Sequence, residues 1–464
     1  MSDSETFEGI VIGAGQSGGP LASALARAGW KIAVVEREHA GGTCINEGCT
    51  PTKTMVASAR AAYTARRAAE FGVQTGPVSV DMKVIRQRKR DIVASWQEGS
   101  RRRIEDTDGV TYLDGEAHFT GPKSLEVALN AGGMRRLNAQ HIFINTGQRA
   151  RVIPLDGLDE VPYLTNLSLM ELGEVPERLL VLGGGYVGLE FGQMFQRFGA
   201  QVTILEAADR FLPREDVDTG QAVREIFEGE GVHIETGISA RSIRYHNGEF
   251  ALTVGTPGGE KTLRADQFLL SVGRTPNTDK LNLAAAGVET NERGYIQVND
   301  RLETNVPGIY AIGDVNGGPA FTHISYDDYR VLRANLIDGG NAAVRDRQVP
   351  YTVFIDPQLA HVGLHESQAR SKGLNIRVAK MPFDYIARAS EIAEPRGFLK
   401  AIVDADTDQI LGVTLLGYEA GELLALFQVA MLGRVPYQAL RDGIFTHPTL
   451  SEGVNNLFVN WQED

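Results

Sequence analysis

Two cysteines are the residues of this chain whose spacing most directly indicates chemistry. Cys44 and Cys49 lie in the stretch GGTCINEGCTPTK and are the only cysteines among the 464 residues. The Ala- and Arg-rich run 54–71 predicts a long helix, with Cys49 at its N-terminus and Pro51 in its first turn. The positive end of a helix lowers the pKa of a thiol, and Cys44, one turn earlier, can close a disulfide with Cys49. The pair predicts dithiol–disulfide exchange, and the alternative is two unrelated buried cysteines.

Two glycine-rich loops predict two nucleotide-binding sites. Each loop follows a β-like run and precedes a helix-like run, and an acidic residue ends the next β-like run. Glycines in such a loop let a pyrophosphate approach the helix N-terminus, while the acid accepts hydrogen bonds from ribose hydroxyls. The residues are Gly13, Gly15, Gly18 and Glu36 in the first copy, and Gly183, Gly185, Gly188 and Glu206 in the second.

The repeat also covers the elements around the glycines. The pattern predicts strand 7–12, helix 21–28 and strand 31–35 in the first copy, and strand 178–182, helix 189–198 and strand 201–205 in the second. In both copies the acid follows the first glycine by the same number of residues, so two unrelated structural turns are a poor explanation. Because Glu206 would repel a 2′-phosphate, the second site is expected to favour NADH over NADPH.

The composition limits the classes of partner. The chain is 42% hydrophobic and 23% charged, with a net charge of -13, as expected for a large globular protein that binds neither nucleic acid nor a membrane. The basic runs 86–90 and 101–103 are interpreted as a solvated helix face. The N-terminus is polar and no apolar run is long enough for a membrane helix, so a cytoplasmic location is expected. The nine histidines show no ligand spacing, and no metal site is predicted.

Taken together, the motifs resemble those of the class I pyridine nucleotide–disulfide oxidoreductases over essentially the whole chain. The motifs are GGTCxNxGCxPTK, the two glycine loops, INTGQR, SVGRTPN and YAIGDV. The family includes lipoamide dehydrogenase, glutathione reductase and mercuric reductase. The resemblance implies an α/β fold with two Rossmann-like dinucleotide-binding domains, the NAD domain inserted in the FAD domain, followed by a C-terminal α+β dimerisation domain. Expected boundaries are 1–150 and 275–348 for the FAD domain, 151–274 for the NAD(P)H domain and 349–464 for the dimerisation domain.

The resemblance also implies cofactors and residue roles. FAD is expected at the first loop, and NADH, with NADPH as the alternative, at the second. Cys49 would be the charge-transfer thiolate nearest the flavin and Cys44 the interchange thiol facing substrate. Lys53 and Glu190 resemble the ion pair beside the flavin, while Tyr186 matches the residue that covers the nicotinamide pocket or is a plain core aromatic. The remaining expected cofactor contacts are Gly42, Thr43, Thr146, Gly147, Gly313 and Asp314 for FAD, and Gly273 for NAD.

The motif HPTLSE near the C-terminus resembles the acid–base dyad of the family. Glu452 would orient His447, and His447 would protonate the thiolate that leaves a substrate. In the family this dyad reaches the active site of the other subunit, so the resemblance implies a homodimer that is inactive as a monomer.

Some segments depart from the best-known members. The segment 321–330 resembles FTxISxDDxR of mercuric-reductase-like proteins and reactive-chlorine-resistance flavoproteins rather than the LAHKAxxEG of lipoamide dehydrogenases. The C-terminal cysteines of mercuric reductases are absent, since no cysteine follows Cys49. Glu47, between the cysteines, either disfavours anionic substrates or is a solvated turn residue.

These features predict a flavoprotein disulfide reductase. Electrons would pass from NADH through FAD to the Cys44–Cys49 disulfide, and then to a small disulfide, a soft metal ion or an oxidant. The enzyme would belong to the oxidoreductases that act on sulfur groups or on metal ions. The alternatives are a dihydrolipoamide dehydrogenase and, from another class, a thiol redox sensor or binding flavoprotein.

Overall fold

The structure, a computed structural model, describes residues 4–463 of the chain. These residues divide into two units, each assembled from three separate segments. Within the described residues, the first unit takes in 4–54, Val84–Arg151 and Gly273–Arg347, and the second takes in Met55–Lys83, Val152–Val272 and 348–463. The four domain ranges expected from the sequence remain predictions.

Strands are found in both units. In chain order they are β1 (Glu5–Ile12), β2 (Ile32–Glu36), β3 (Val110–Gly121), β4 (Ser124–Leu129), β5 (Met134–Ile144), β6 (Gln148–Ala150), β7 (Arg178–Leu182), β8 (Gln201–Leu205), β9 (His233–Glu235), β10 (Ser239–His246), β11 (Glu249–Thr256), β12 (Gly259–Ala265), β13 (Gln267–Leu270), β14 (Arg274–Pro276), β15 (Ile309–Ala311), β16 (Tyr351–Val353), β17 (Gln358–Gly363), β18 (Ile376–Pro382), β19 (Phe398–Asp404) and β20 (Ile410–Gly417).

The α-helices alternate with these strands through much of the chain. They are α1 (Gly18–Arg27), α2 (Gly42–Asn46), α3 (Cys49–Arg66), α4 (Met82–Glu105), α5 (Asn166–Leu169), α6 (Tyr186–Phe198), α7 (Val217–Gly229), α8 (Leu283–Ala286), α9 (Thr322–Leu336), α10 (Glu366–Ser371), α11 (Ala387–Glu391), α12 (Ala420–Leu432), α13 (Tyr437–Asp442) and α14 (Gly453–Leu457).

The first unit is built on a parallel sheet in the order β3–β2–β1–β5–β15. Strand β4 joins the second half of β3 to the first half of β5 by antiparallel pairing. The end of β1 is a continuous run of buried apolar residues, because both faces of a parallel sheet are covered. Ligands of such sheets bind at the carboxyl ends of the strands, which is where the first glycine loop follows β1.

The second unit contains two sheets that bear on the site. Strands β13, β7, β8 and β9 form a parallel sheet, and the second glycine loop follows β7. Strands β16, β17, β20, β19 and β18 form an antiparallel sheet in that order. Helix α12 packs on this sheet through buried side chains such as Leu423 and Phe427. The mixed α/β fold agrees with the fold class expected from the sequence.

The helix that begins at the second cysteine differs from its predicted bounds. As predicted, Cys49 is at the N-terminus of α3, but the helix ends at Arg66 rather than at residue 71, and Ala68–Phe71 form a separate 3-10 turn. Pro51 is tolerated in the first turn because its missing N–H has no helical partner there. Gly72, with φ of 75°, then ends the turn in the left-handed region.

The basic runs lie on α4, and one part of their interpretation is wrong. Arg101 is partly exposed and pairs with Glu105 and Asp114, as a solvated helix face would. Lys89, in contrast, is buried. Charge patterning along one helix does not reveal which turn packs against neighbouring elements.

Among the helices of residues 4–463, none combines the length and apolar character that crossing a membrane requires.

Candidate active site

The first glycine loop is a backbone turn that only glycine fits. Gly13 has φ of 99°, and a Cβ there would lie 2.4 Å from the carbonyl oxygen of Asn145. A Cβ at Gly18 would lie 2.3 Å from the carbonyl oxygen of Gly13. The Asn145 side chain holds the loop, because its Oδ1 accepts from Gly18 N at 2.9 Å and its Nδ2 donates to Ser17 Oγ at 2.8 Å. The N-terminus of α1 is thereby fixed at the end of β1.

Glu36 clamps this loop through both carboxylate oxygens. Ala14 N donates to Glu36 Oε2 and Glu38 N donates to Glu36 Oε1, each at 2.8 Å. The carboxylate is therefore held at the end of β2, in the position where the fingerprint acid accepts ribose hydroxyls.

The second loop repeats this arrangement almost atom for atom. Gly184 N donates to Glu206 Oε2 and Ala208 N donates to Glu206 Oε1, each at 2.9 Å. Gly183 has φ of 112°, and a Cβ at Gly188 would lie 2.0 Å from the Gly183 carbonyl oxygen. A Cβ added at Gly185 would meet no atom within 4 Å, so the loop has open space on that side.

The first unit contains polar groups that fit a bound flavin nucleotide. Thr146 Oγ1 is buried and, within residues 4–463, has no hydrogen-bond partner. Gly42, with φ of 60°, approaches so closely that a Cβ would lie 2.9 Å from Gly15 Cα. Burial raises the pKa of Asp314, against the opposing effects of a Gln148 hydrogen bond at 3.0 Å and of Arg274. A buried hydroxyl with no partner among the described residues and a half-buried carboxylate, beside glycines that leave no room for a Cβ, suit a ligand rich in hydroxyls.

The other expected cofactor residues lie in turns or at helix ends. Thr43 lies with Gly42 in the first turn of α2. Gly147, Gly273 and Gly313 adopt φ of 64°, 111° and 70° in the turns after β5, after β13 and after β15. Their contacts with a nucleotide remain predictions.

The cysteine pair sits at the start of two successive helices. Cys44 is half-buried on α2, Cys49 is exposed at the first position of α3, and the two are present as thiols rather than as a disulfide. A hydrogen bond with Cys49, and then burial, raise the pKa of Cys44. The raised pKa favours the protonated form of Cys44, and a thiol at a helix N-terminus, such as Cys49, is the better placed of the two to carry charge.

Thr322 is a contact of the pair that sequence reasoning did not identify. Its Oγ1 lies 3.3 Å from Cys49 Sγ, at the first residue of α9. The segment 321–330 had been recognised as a departure from lipoamide dehydrogenases, but spacing alone cannot show which of its side chains faces a sulfur. Glu47 is half-buried, and burial, followed by the charge of Glu38, raises its pKa.

The expected ion pair beside the flavin is placed on two helices. Lys53 lies one turn after Cys49 on α3. Glu190 is buried on α6, where its Oε1 accepts from Phe354 N at 2.8 Å. The pairing of Lys53 with Glu190 remains a prediction.

Tyr186 begins α6 and is held by polar contacts rather than packed as a plain core aromatic. Its hydroxyl donates to Glu215 Oε1 at 2.5 Å, and its ring stacks on Tyr351 with centroids 5.6 Å apart. Burial and the Glu215 charge raise the pKa of Tyr186, so the phenol stays protonated.

The histidine and glutamate of the C-terminal motif form a hydrogen-bonded pair. His447 Nδ1 lies 2.8 Å from Glu452 Oε2, and the His447 side chain is 66% exposed. Nδ1 bound to the carboxylate leaves Nε2 free to face a reacting group, as a general acid requires. The catalytic role of this dyad is a prediction.

Comparison with known proteins decides the family. Residues 7–328 match the family described as pyridine nucleotide-disulphide oxidoreductase, and residues 349–458 match its dimerisation domain. The chain belongs to this family. Members of the family are FAD-dependent oxidoreductases that use a pyridine nucleotide, and the family resemblance seen in the sequence motifs is thus confirmed.

Three relatives indicate the branch of the family. The chain is 40% identical to the probable pyridine nucleotide-disulfide oxidoreductase RclA of Escherichia coli, over 97% of this chain and 98% of that protein. It is 37% identical to a dihydrolipoyl dehydrogenase of Thermus scotoductus, over 97% and 96% of the two chains. It is 31% identical to a mercuric reductase of Bacillus cereus, over 99% of this chain and 72% of that protein.

A solved structure matches the whole fold. It is the Cu(II) complex of the HOCl-induced flavoprotein disulfide reductase RclA from Escherichia coli. The TM-score is 0.90 at 38% identity, and the match covers 98% of this chain and 99% of that one.

Proposed function

We propose that this family member is an NADH-preferring disulfide reductase whose Cys44–Cys49 pair delivers electrons to a small disulfide or to a soft metal ion such as Cu(II). Turnover with a disulfide consumes NADH, one proton and the disulfide and yields NAD+ and two thiols. Turnover with Cu(II) consumes one NADH and two Cu(II) and yields NAD+, two Cu(I) and one proton. Each is a two-electron balance.

The observation that carries this proposal is the cysteine pair at the head of α3. One thiol has a raised pKa and the other sits at a helix N-terminus beside Thr322 Oγ1, 3.3 Å from its sulfur. Such an asymmetric pair would divide the two tasks of thiol–disulfide exchange. Cys49 would be the charge-transfer thiolate beside the flavin, and Cys44 would keep its proton until it attacks the substrate. A bound flavin would supply hydride acceptance from the nicotinamide and reduction of the disulfide.

The preference for NADH rests on the fixed carboxylate of the second loop. Glu206 is clamped by Gly184 N and Ala208 N, so it cannot easily turn away from a nucleotide ribose. A 2′-phosphate would place two like charges together, whereas a 2′-hydroxyl would donate a hydrogen bond.

A homodimer is proposed from exposed apolar side chains in the matched dimerisation domain. Ile444, three residues before His447, is fully exposed, and Val429 and Leu432 on α12 are 68% and 65% exposed. Three exposed aliphatic side chains in the matched dimerisation domain favour association with a second copy. His447 would then be carried to the partner's cysteine pair, so a monomeric variant such as Ile444→Glu should lose acceptor turnover.

The acceptor is proposed from chemistry and from relatives. RclA has been solved with Cu(II), and the matched mercuric reductases are named for a soft metal ion. Thiolates bind and reduce such ions readily. No cysteine follows Cys49, so the Cys44–Cys49 pair would have to handle the ion itself.

The test is NADH oxidation by the purified FAD-bound protein against a panel of acceptors, with Cys44→Ser beside the wild type. The panel contains Cu(II), Hg(II), glutathione disulfide, other small disulfides, lipoamide, a quinone and O2. Turnover with a disulfide or a soft metal, lost in Cys44→Ser while NADH still reduces the flavin, is the expected result. Turnover that survives in Cys44→Ser would mean that electrons leave directly from the flavin and would overturn the proposal.

Dihydrolipoamide dehydrogenase activity is the second candidate, favoured by the 37% identical relative. Fast reduction of NAD+ by dihydrolipoamide, exceeding every other reaction of the panel, would establish it. The segment 321–330, which places Thr322 against Cys49, weighs against this activity.

A further inference from the structure

Tyr186 is the end of a buried network that no step proposed above uses. Glu215 Oε1 accepts two hydrogen bonds, from Tyr186 Oη at 2.5 Å and from Tyr351 Oη at 2.7 Å. Tyr351 Oη also lies 3.3 Å from His365 Nε2. These groups come from α6, from the turn before α7, from β16 and from the residue before α10, so the fold and not a local motif assembles them.

The carboxylate at the centre of the network depends on these donors. Glu215 is 2% exposed. Among residues 4–463, no lysine or arginine nitrogen lies within 4.0 Å of its carboxylate, and the basic neighbour is His365, with Nδ1 at 4.0 Å from Oε2. Glu215 Oε2 and His365 Nδ1 have no hydrogen-bond partner in the described part of the chain. Removing a hydrogen-bond donor from a buried carboxylate with so few partners costs much free energy.

A second histidine, His361, packs against the His365 end of the network. His361 stacks on His365 with centroids 3.7 Å apart, and its nitrogens are bound to Thr414 Oγ1 at 2.9 Å and the Gly363 carbonyl oxygen at 3.1 Å. Burial and the neighbouring His365 lower the pKa of His361 to about 3, so His361 is a neutral packing partner. Glu215, His361 and His365 are thus buried, whereas Tyr186 and Tyr351 are half-buried, and Tyr186 is the member that begins α6 directly after the second glycine loop.

We propose that Glu215 and Tyr351 form a latch that holds Tyr186 in one orientation and sets the affinity of the nicotinamide site. The inference rests on the proposed function, in which Tyr186 covers the nicotinamide pocket. Glu215 and Tyr351 are positioning residues, since they act through Tyr186. A nicotinamide ring that displaces Tyr186 must break the bond to Glu215 and the stack on Tyr351.

The two tyrosines should affect this latch in opposite directions. When Tyr186 swings away in the wild type, Tyr351 still donates to the same Oε1 oxygen of Glu215. Without the Tyr351 hydroxyl, opening would leave that oxygen with no donor, so the closed form would be favoured more strongly. Without the Tyr186 hydroxyl, opening breaks no hydrogen bond, and the open fraction rises. Apparent affinity scales with the fraction of protein that is open.

The experiment measures NAD+ binding to the FAD-bound protein by isothermal titration calorimetry, which requires no turnover. Tyr186→Phe should lower the Kd by about fivefold or more, and Tyr351→Phe should raise it by about threefold or more, as expected for hydrogen bonds to a charged group. Glu215→Gln, which keeps the shape and removes the charge, should lower the Kd. Tyr245→Phe, at an exposed tyrosine of the same unit, is the matched control and should leave the Kd unchanged.

Rapid-reaction reduction of the flavin by NADH adds a second readout. The limiting rate at saturating NADH should stay within about twofold of wild type in Tyr351→Phe and Glu215→Gln, because these positioning residues change access and not the transfer step. Equal shifts of Kd in the same direction for Tyr186→Phe and Tyr351→Phe, or no shift in either, would overturn the latch. A wild-type protein that neither binds NAD+ nor is reduced by NADH would overturn the proposed function, and the latch with it.

Discussion

The two glycine loops share one local design but differ in what surrounds them. In each, the carboxylate at or directly after the end of the second strand accepts from the backbone N–H of the residue that follows the first glycine, and from the backbone N–H of the residue two positions after the acid itself. The four distances lie between 2.8 and 2.9 Å. Sequence similarity between the copies thus corresponds to the same hydrogen bonds.

The two copies differ in the residue that follows the strand paired with the first strand on its other side, which is β5 beside β1 and β13 beside β7. In the first copy Asn145 binds Gly18 N, Ser17 Oγ and the Ile312 carbonyl, and Ser17 Oγ continues to Ser325 Oγ at 2.9 Å. In the second copy this place is taken by Ser271, whose hydroxyl reaches only the carbonyls of Leu182 and Gly183 among the described residues.

The first loop is also more enclosed by other chain segments than the second loop is. Gly41 N donates to the Ala14 carbonyl at 2.8 Å, so the cysteine segment is tied across the first loop. A Cβ at Gly15 would lie 2.7 Å from Asn145 Oδ1, whereas one at Gly185 would meet nothing within 4 Å. We expect a loop enclosed by distant segments to retain its nucleotide and an open loop to exchange it, which matches FAD at the first and NADH at the second.

Alanine at the last glycine of each loop gives the largest expected effect. A Cβ would lie 2.3 Å from the Gly13 carbonyl oxygen in Gly18→Ala and 2.0 Å from the Gly183 carbonyl oxygen in Gly188→Ala. Gly18→Ala should yield colourless protein without FAD and without activity. Gly188→Ala should remain yellow and be reduced by dithionite, but lose reduction by NADH by at least about a hundredfold. Flavin absorbance and anaerobic titration measure both.

Gly99→Ala is the matched control, since a Cβ at this position on α4 meets nothing within 4 Å. It should keep both FAD and NADH reduction. If Gly188→Ala also lost FAD, or Gly18→Ala kept it, the assignment of the two loops would be wrong.

The loops were predictable because their requirements are local. A turn with positive φ and no room for Cβ demands glycine, and the clamp needs only an acid at the next strand end. Asn145 stood inside a recognised motif, but its three-way contact depends on chain segments far apart in sequence. Thr322 and Glu215 were not predicted for the same reason, since neither lies at a fixed spacing from the cysteines or the glycines.

The start of a helix was also not fully predictable from the sequence pattern. Apolar periodicity predicted that the helix of the second copy begins at residue 189, whereas α6 begins at Tyr186. The first turn has no apolar stripe of its own, because it presents backbone N–H groups to a ligand rather than side chains to the core. Periodicity therefore underestimates a helix at the end where function is located.

Neutralising the acid that clamps each loop should have effects of intermediate size, on NADH use in the second copy and on FAD retention in the first. Glu206→Gln leaves one oxygen for two backbone donors and removes the charge that opposes a 2′-phosphate. We expect the KM for NADH to rise about tenfold and the preference over NADPH to fall by a similar factor, with little change in kcat. Glu36→Gln should instead weaken FAD retention about tenfold and leave the KM for NADH unchanged.

Steady-state kinetics with both nucleotides, and FAD release followed by fluorescence, provide the measurements. Glu228→Gln, at an exposed acid on α7 paired with Arg224, is the control and should change neither quantity. An unchanged nucleotide preference in Glu206→Gln would show that selectivity lies elsewhere.

Substitution of two aspartates, the half-buried Asp314 and the buried Asp216, should give the smallest effects, with opposite signs. Burial raises the pKa of Asp314 above its usual value of 3.8. Burial also acts on Asp216, but hydrogen bonds from Ser367 and the charge of Lys400 outweigh it and lower that pKa to about 2. Asp314→Asn should therefore raise the Tm of FAD-free protein at pH 7. Asp216→Asn should lower the Tm, because it removes about 2 kcal/mol from the free energy of unfolding.

The pH dependence distinguishes these charge effects from simple packing changes. The folded pKa of Asp314 is raised, so its charge opposes folding increasingly as pH rises above about 4, and the gain in Asp314→Asn should vanish below that. The folded pKa of Asp216 is depressed, so its contribution is complete above about pH 4 and is lost as pH falls toward 2. Thermal unfolding between pH 3 and pH 7 would show both trends as differences from wild type that shrink toward acid. A difference independent of pH would mean that the substitutions act through shape, because a carboxylate that is already protonated differs little from asparagine in charge.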